Sequence, residues 1–105
     1  MMEATEETRG DWRVVCVKGR ADAEAADALE SALRSAVEAN AKVAADFSAL
    51  DYISSAGLRA VLQAARAAQT KDRVFAVCGM SASVKKVFDM SGLHQVLTIH
   101  GELPC

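Results

Sequence analysis

The chain has 105 residues, room for one domain with one core and for burial of roughly two-thirds of the unfolded chain's surface. Half of it is apolar (51%) but only 5% is aromatic, so the core is expected to be aliphatic and closely spaced, and nothing in the composition suggests disorder. The net charge of -2 arises without a dense Lys/Arg cluster, which argues against nucleic acid, and no apolar run approaches the ~20 residues of a membrane span; the expectation is a cytoplasmic protein with no membrane partner.

The opening MMEATEETRGD is acidic where a signal peptide is basic and then apolar. MEATEET reads as the first arm of a hairpin at a sheet edge, where its charges are tolerated. WRVVCVKG (12–19) is a valine-rich buried strand ended by Gly19. DAEAADALESALRSAVEAN (22–40) is a helix, with Asp22 as candidate cap, Asn40 as stop, and Ala25, Leu29, Leu33, Ala36 and Val37 at helical spacing.

KVAADF (42–47) is a short strand carrying Asp46 near its end, followed by SALDYIS as a loop. From Ala56 the apolar positions Leu58, Val61, Leu62, Ala65 and Ala68 mark one face of a helix of about 14 residues, roughly 21 Å long. DRVFAVCG (72–79) is a further strand. SASVKKVFDMSG (81–92) is a helix capped by Ser81 or Ser83, with Val84, Val87 and Phe88 inward and Gly92 as stop, and HQVLTIHG is the last strand. Strands alternating with helices imply crossover connections and a largely parallel sheet, so the fold class is α/β.

Three cysteines, Cys16, Cys78 and Cys105, form no C-x-x-C pair, which fits a reducing compartment; Cys16 and Cys78 lie in apolar runs and read as small core residues. His94 and His100 have no Cys or carboxylate at ligand spacing, so neither a metal nor a cofactor is expected.

The chemistry concentrates in DYISSAGLRAVLQAARAAQ (51–69), where Ser54 and Ser55 stand ahead of a helix. One reading is a cap: a Ser hydroxyl at the N-cap satisfies one of the four free amides of the first turn, worth about 1 kcal/mol, and Ser55 fits that place. A second is a nucleophile, but the elbow G-x-S-x-G would need glycine where Ile53 stands and a direct strand-to-helix turn, and neither His94 nor His100 has an orienting carboxylate in a motif. A third is phosphorylation, since a phosphate at a helix N-terminus meets the positive end of the dipole and free amides. Gly57, costly inside a helix, suits close approach of a partner over Ala56 and Gly57.

VAADFSALDYISSAGLRAVLQAARAAQ, with KGRAD upstream and FAVCGMSASVKKVFDMSGLHQVLTI downstream, resembles the STAS domain family, specifically bacterial anti-sigma factor antagonists, over about residues 12–100. The resemblance implies a single domain with a mixed four- or five-stranded sheet flanked by helices. It also implies a non-enzymatic regulator: the unphosphorylated form binds an anti-sigma factor that is also a serine kinase and releases the sigma factor. Phosphorylation breaks that complex, and a PP2C-type serine phosphatase resets it.

Matching the motif places the phosphoacceptor at Ser55, with Ser54, where many members have Asp, as rival. It places partner contacts at Asp22, Ser54, Ser55, Ala56, Gly57 and Arg59. Asp22 reads equally as the cap of the first helix; Arg59 could touch a phosphate at Ser55 or a carboxylate on the partner, but an arginine on a polar helix face is usually just solvated, and Lys85 and Lys86 read as a solvated face. Asp46 and Ser48 match a D-x-S turn with a structural role; Met90, Ser91, Gly92 and Leu93 match a segment that ends the third helix, and a terminal helix common in the family is short or missing. The alternative keeps the fold and changes the role: a STAS scaffold subunit of a stress-signalling or transporter-associated complex, without phosphoswitching.

Overall fold

The computed structural model describes residues 2–91 and 98–99. Its elements in chain order are β1 (Met2–Arg9), β2 (Trp12–Ala21), α1 (Ala26–Ala39), β3 (Lys42–Ile53), α2 (Ser55–Thr70), β4 (Val74–Cys78), α3 (Ala82–Ser91) and β5 (Thr98–Ile99). The strands form one mixed sheet in the order β1-β2-β3-β4-β5. β1 is antiparallel to β2, while the β2/β3, β3/β4 and β4/β5 pairs are parallel.

The first hairpin turns on Gly10–Asp11, with Gly10 at φ 60°, a backbone conformation that a side chain resists and that a two-residue hairpin requires. From β2 onward each strand is laid beside the one before it. Successive crossovers of one hand then place their helices on one face of the sheet. Accordingly Leu29, Leu33 and Val37 of α1, Val61 and Ala64 of α2, and Val84 and Phe88 of α3 share a cluster with Val15, Val17, Val43, Ala45, Phe47 and Val77 of the strands. Phe47 and Phe88 meet ring to ring at 6.1 Å, tilted by 53°, pinning α3 to the middle strand.

The expected α/β class, the edge hairpin and all three helices are present, with shifted boundaries. α1 begins at Ala26 rather than 22, because Asp22 spends its Oδ1 on the amide of Ala25 at 3.0 Å and closes a turn ahead of the helix. The N-cap position falls on Ala25, which has no side-chain cap. Ser81 is the serine that receives an α3 amide, from Val84 at 3.3 Å. Gly92, Leu93 and most of the expected last strand lie outside the described residues, as does any terminal helix.

The larger correction concerns the stretch 48–53, expected as a loop. It is strand: β3 continues to Ile53, pairing Ala49 with Lys18, Leu50 with Gly19, Tyr52 with Arg20 and Ile53 with Ala21. Register shifts between Cys16/Lys18 and Gly19/Arg20 break the two-residue period. The inward residues become Phe47, Leu50 and Ile53, three apart, a spacing that does not read as a strand.

The cysteine reading also changes. Cys78 is buried in the core as expected, whereas Cys16 is free and only half-buried. Cys16 points to the sheet face opposite the helices, as the alternation along β2 dictates. Among the described residues, no helix is long and apolar enough to cross a membrane.

Candidate functional site

The extension of β3 brings the end of β2, the end of β3 and the start of α2 together. Ile53 ends the strand, Ser54 is the junction and Ser55 opens the helix. Ser54 has extended backbone angles (φ -87°, ψ 171°), as an N-cap residue does, and its Oγ accepts the amide of Gly57 at 3.1 Å. The same hydroxyl donates to the carbonyl of Ala21 at 3.0 Å, and the Ser54 amide donates to that carbonyl at 2.9 Å. Both capacities of the hydroxyl are used, donor and acceptor. The cap is therefore Ser54 and not Ser55.

Ser55 is released by this arrangement. It occupies the first helical position, is exposed, and its side chain has no hydrogen-bond partner among the described residues. The amides of Ser55 and Ala56 have no protein acceptor among the described residues either, so two donors of the first turn are left unused beside the free hydroxyl. A phosphate on Ser55 would meet these donors and the positive end of a helix of 16 residues.

Gly57 has a different part from the one expected. It is buried, and a Cβ there would lie 2.8 Å from the Ala21 carbonyl oxygen and 2.8 Å from Ile53 Cγ1. The close approach that glycine permits here is to the chain's own β2 and β3. Ala56 is half-buried beside Ser55, and Asp22 is half-buried with its carboxylate engaged by Ala25. Arg59 is exposed and has no ion-pair or hydrogen-bond partner among the described residues.

Asp46 and Ser48 sit lower on β3. Asp46 is 7% exposed; its Oδ1 accepts the Ser48 amide at 2.9 Å and the Ser48 hydroxyl at 2.7 Å, and its Oδ2 lies 3.4 Å from Arg9 Nη1. Every partner is within the sheet, which makes the pair structural. Arg9 belongs to a polar cluster on the sheet face away from the helices. Its hydrogen bonds to Glu7 hold the guanidinium firmly protonated and draw the Glu7 carboxyl below its ordinary range. Cys16 donates to Glu7 at 3.3 Å; burial, and then that hydrogen bond and charge, push its thiol up.

The serine-hydrolase reading loses one of its objections and gains another. The strand does run directly into the helix, through Ser54, so no intervening loop separates them. A nucleophile elbow is strained, however, and the only positive-φ residue other than glycine among the described residues is Asp72. His94 and His100 lie outside the described residues. Among the described residues no group of His, Cys, Asp and Glu is placed to hold a metal ion.

Residues 3–103 match the family model described as the STAS domain. The chain belongs to the STAS domain family. This STAS domain is 32% identical over 87 residues to BtrV of Bordetella bronchiseptica, a protein with the provisional name of anti-sigma factor antagonist, covering 82% of this chain and 75% of that one. Its fold matches that of an anti-sigma factor antagonist from Mycobacterium paratuberculosis with a TM-score of 0.88, at 23% identity over 98% of this chain and 88% of that one. It also matches the phosphorylated form of the Bacillus cell fate determinant SpoIIAA with a TM-score of 0.70, at 22% identity over 97% and 93% of the two chains.

Two residues at the site of this STAS domain escape sequence reasoning. Arg20 and Tyr52 are register partners on β2 and β3, and the Arg20 guanidinium carbon lies 4.4 Å from the centre of the Tyr52 ring. Tyr52 fell within the presumed loop, so nothing local joined it to an arginine of the GRAD segment. An aromatic residue three positions before the candidate acceptor was the available signal.

Proposed function

We propose that this STAS domain is a phosphorylation-switched anti-sigma factor antagonist. Its unphosphorylated form binds an anti-sigma factor that is a serine kinase, which frees the sigma factor. Phosphorylation of Ser55 ends that binding, and a PP2C-type serine phosphatase restores it. The chain is then the substrate of the kinase and not itself a catalyst.

The observation that carries this reading is the division of labour between the serines. Ser54 has both hydrogen-bonding capacities committed inside the fold, and Ser55 is exposed with none committed. Modifying Ser54 would remove the donor to Ala21 and crowd the Gly57 amide. Modifying Ser55 leaves the cap in place and adds about -1.5 to -2 charges to a surface that had presented a small neutral hydroxyl. A partner packed over Ser55 and Ala56 loses its fit by bulk and charge, without any change of fold. The kinship with BtrV and the fold shared with phosphorylated SpoIIAA support the same reading.

The test is a panel of purified kinase-type anti-sigma factors from the source genome, titrated one by one against the chain with and without ATP. One member should bind the wild-type chain and transfer phosphate to it, mapped to Ser55 by mass spectrometry, and Ser55→Glu should abolish binding. Equal phosphorylation of Ser55→Ala and the parent would overturn the site.

A further inference from the structure

Beside Ser55 lies a surface whose chemistry the switch does not use. Tyr52 is 41% exposed, one of three large apolar side chains left open among the described residues. It stands near the end of β3, two residues before the capping serine, with Arg20 stacked on its ring from the neighbouring strand. Arg9, Arg13 and Arg34 each have a carboxylate within 4 Å, and Arg20 has none among the described residues. Its charge is held in a defined place and left uncompensated. Tyr52 also borders a shallow groove of about 80 Å³ lined by Asp51, Ile53, Ser83, Val84 and Val87, with room for one aliphatic side chain between the end of β3 and α3.

We infer that Tyr52 and Arg20 form the recognition element by which the partner is chosen, receiving an apolar side chain against the ring and groove and a carboxylate at the guanidinium. This rests on the reading of Ser55 as the switched residue of the same surface, and names the chemistry of the partner's face. A stacked arginine loses little freedom when it binds, because the ring already fixes it. An apolar residue over Tyr52 excludes water from the Arg20–carboxylate pair, the setting in which Tyr and Arg become dominant contacts of an interface. A partner lacking the carboxylate leaves Arg20 covered and unpaired, which supplies discrimination as well as affinity.

The experiment titrates the anti-sigma factor that binds the wild-type chain against Tyr52→Ala, Tyr52→Phe and Arg20→Glu, each first shown by urea denaturation to be as stable as the parent. Tyr52→Ala and Arg20→Glu should each raise Kd at least tenfold, and Tyr52→Phe, which keeps the ring, should stay within threefold. For phosphate transfer, Tyr52→Ala should raise KM and leave kcat unchanged. If Tyr52→Ala is destabilised, Arg20→Glu decides alone. Binding of Tyr52→Ala and Arg20→Glu within twofold of wild type, with Ser55→Glu still abolishing it, would overturn this inference and leave the switch standing. Failure of the wild-type chain to bind any anti-sigma factor overturns both. Loss in Tyr52→Ala of a self-association seen for the wild type would assign the surface to a second copy and also overturn the inference.

Discussion

Ser54 Oγ and Gly57 N are joined by a hydrogen bond of 3.1 Å that closes the first turn of α2, and the same oxygen is anchored to the Ala21 carbonyl 33 residues earlier in the chain. The helix start, the end of β3 and the end of β2 are thereby one unit, and Ser55 is its exposed serine. The two serines should separate cleanly on mutation. Ser54→Ala should cost about 1–2 kcal/mol of stability by urea denaturation, the loss of a cap. Ser55→Ala should change stability by less than about 0.5 kcal/mol, as exposed substitutions do. Phosphate incorporation should show the reverse order: retained in Ser54→Ala and lost in Ser55→Ala.

Gly57→Ala should destabilise the fold although alanine is the better helix former. The gain in propensity is about 1 kcal/mol. Against it, the new methyl carbon would lie 2.8 Å from the Ala21 carbonyl oxygen, which is backbone and held by two hydrogen bonds from Ser54. Overpacking of this kind costs about 1–3 kcal/mol, so the net expectation is a lower urea midpoint. A midpoint equal to or above the parent's would show that β2 yields at Ala21.

Asp46→Ala should lower stability by roughly 2 kcal/mol, because it strips the Ser48 amide and hydroxyl of their acceptor and removes a carboxylate from beside Arg9. Phosphorylation of Ser55 in folded Asp46→Ala should match the parent. A selective loss of phosphorylation at unchanged stability would contradict the structural role given to Asp46.

Cys16 should react sluggishly. Its raised pKa means that less thiolate is present at a given pH than in the unfolded chain, so alkylation by iodoacetamide near pH 8 should be slower in the native protein than in urea. The sign for stability follows: the protonated thiol's contribution is complete below the ordinary thiol value of 9.0 and is lost as pH rises through the higher folded value. Glu7→Gln removes the carboxylate charge from beside Cys16. The midpoint of its alkylation profile should move to lower pH; an unmoved midpoint would assign the shift to burial alone.

Much of the fold is legible locally. Leu29, Leu33, Ala36 and Val37 recur at helical spacing and are buried on α1, and the runs around Val15, Val43 and Val77 are buried strands, because each pattern follows from the period of its own element. Legibility fails where pairing overrides period. Residues 48–53 are strand because β2 supplies their hydrogen bonds, and the shifted register spaces Phe47, Leu50 and Ile53 by three. Asp22 carries a capping residue's chemistry but uses it on a turn, accepting the Ala25 amide ahead of α1.

The sequence by itself determined the alternation of strands and helices, the kinship with STAS domains, and the pair of serines where the chemistry would lie, all of which are properties of contiguous residues. It put Ser55 ahead of Ser54 as acceptor only through that resemblance, and it gave the cap to Ser55 as well. Only the tertiary structure decided that Ser54 is the cap and Ser55 the free group, because the deciding partner is the Ala21 carbonyl, delivered by the pairing of β2 with β3. That same pairing set Arg20 on the ring of Tyr52, and turned Gly57 inward to where a side chain would strike the backbone.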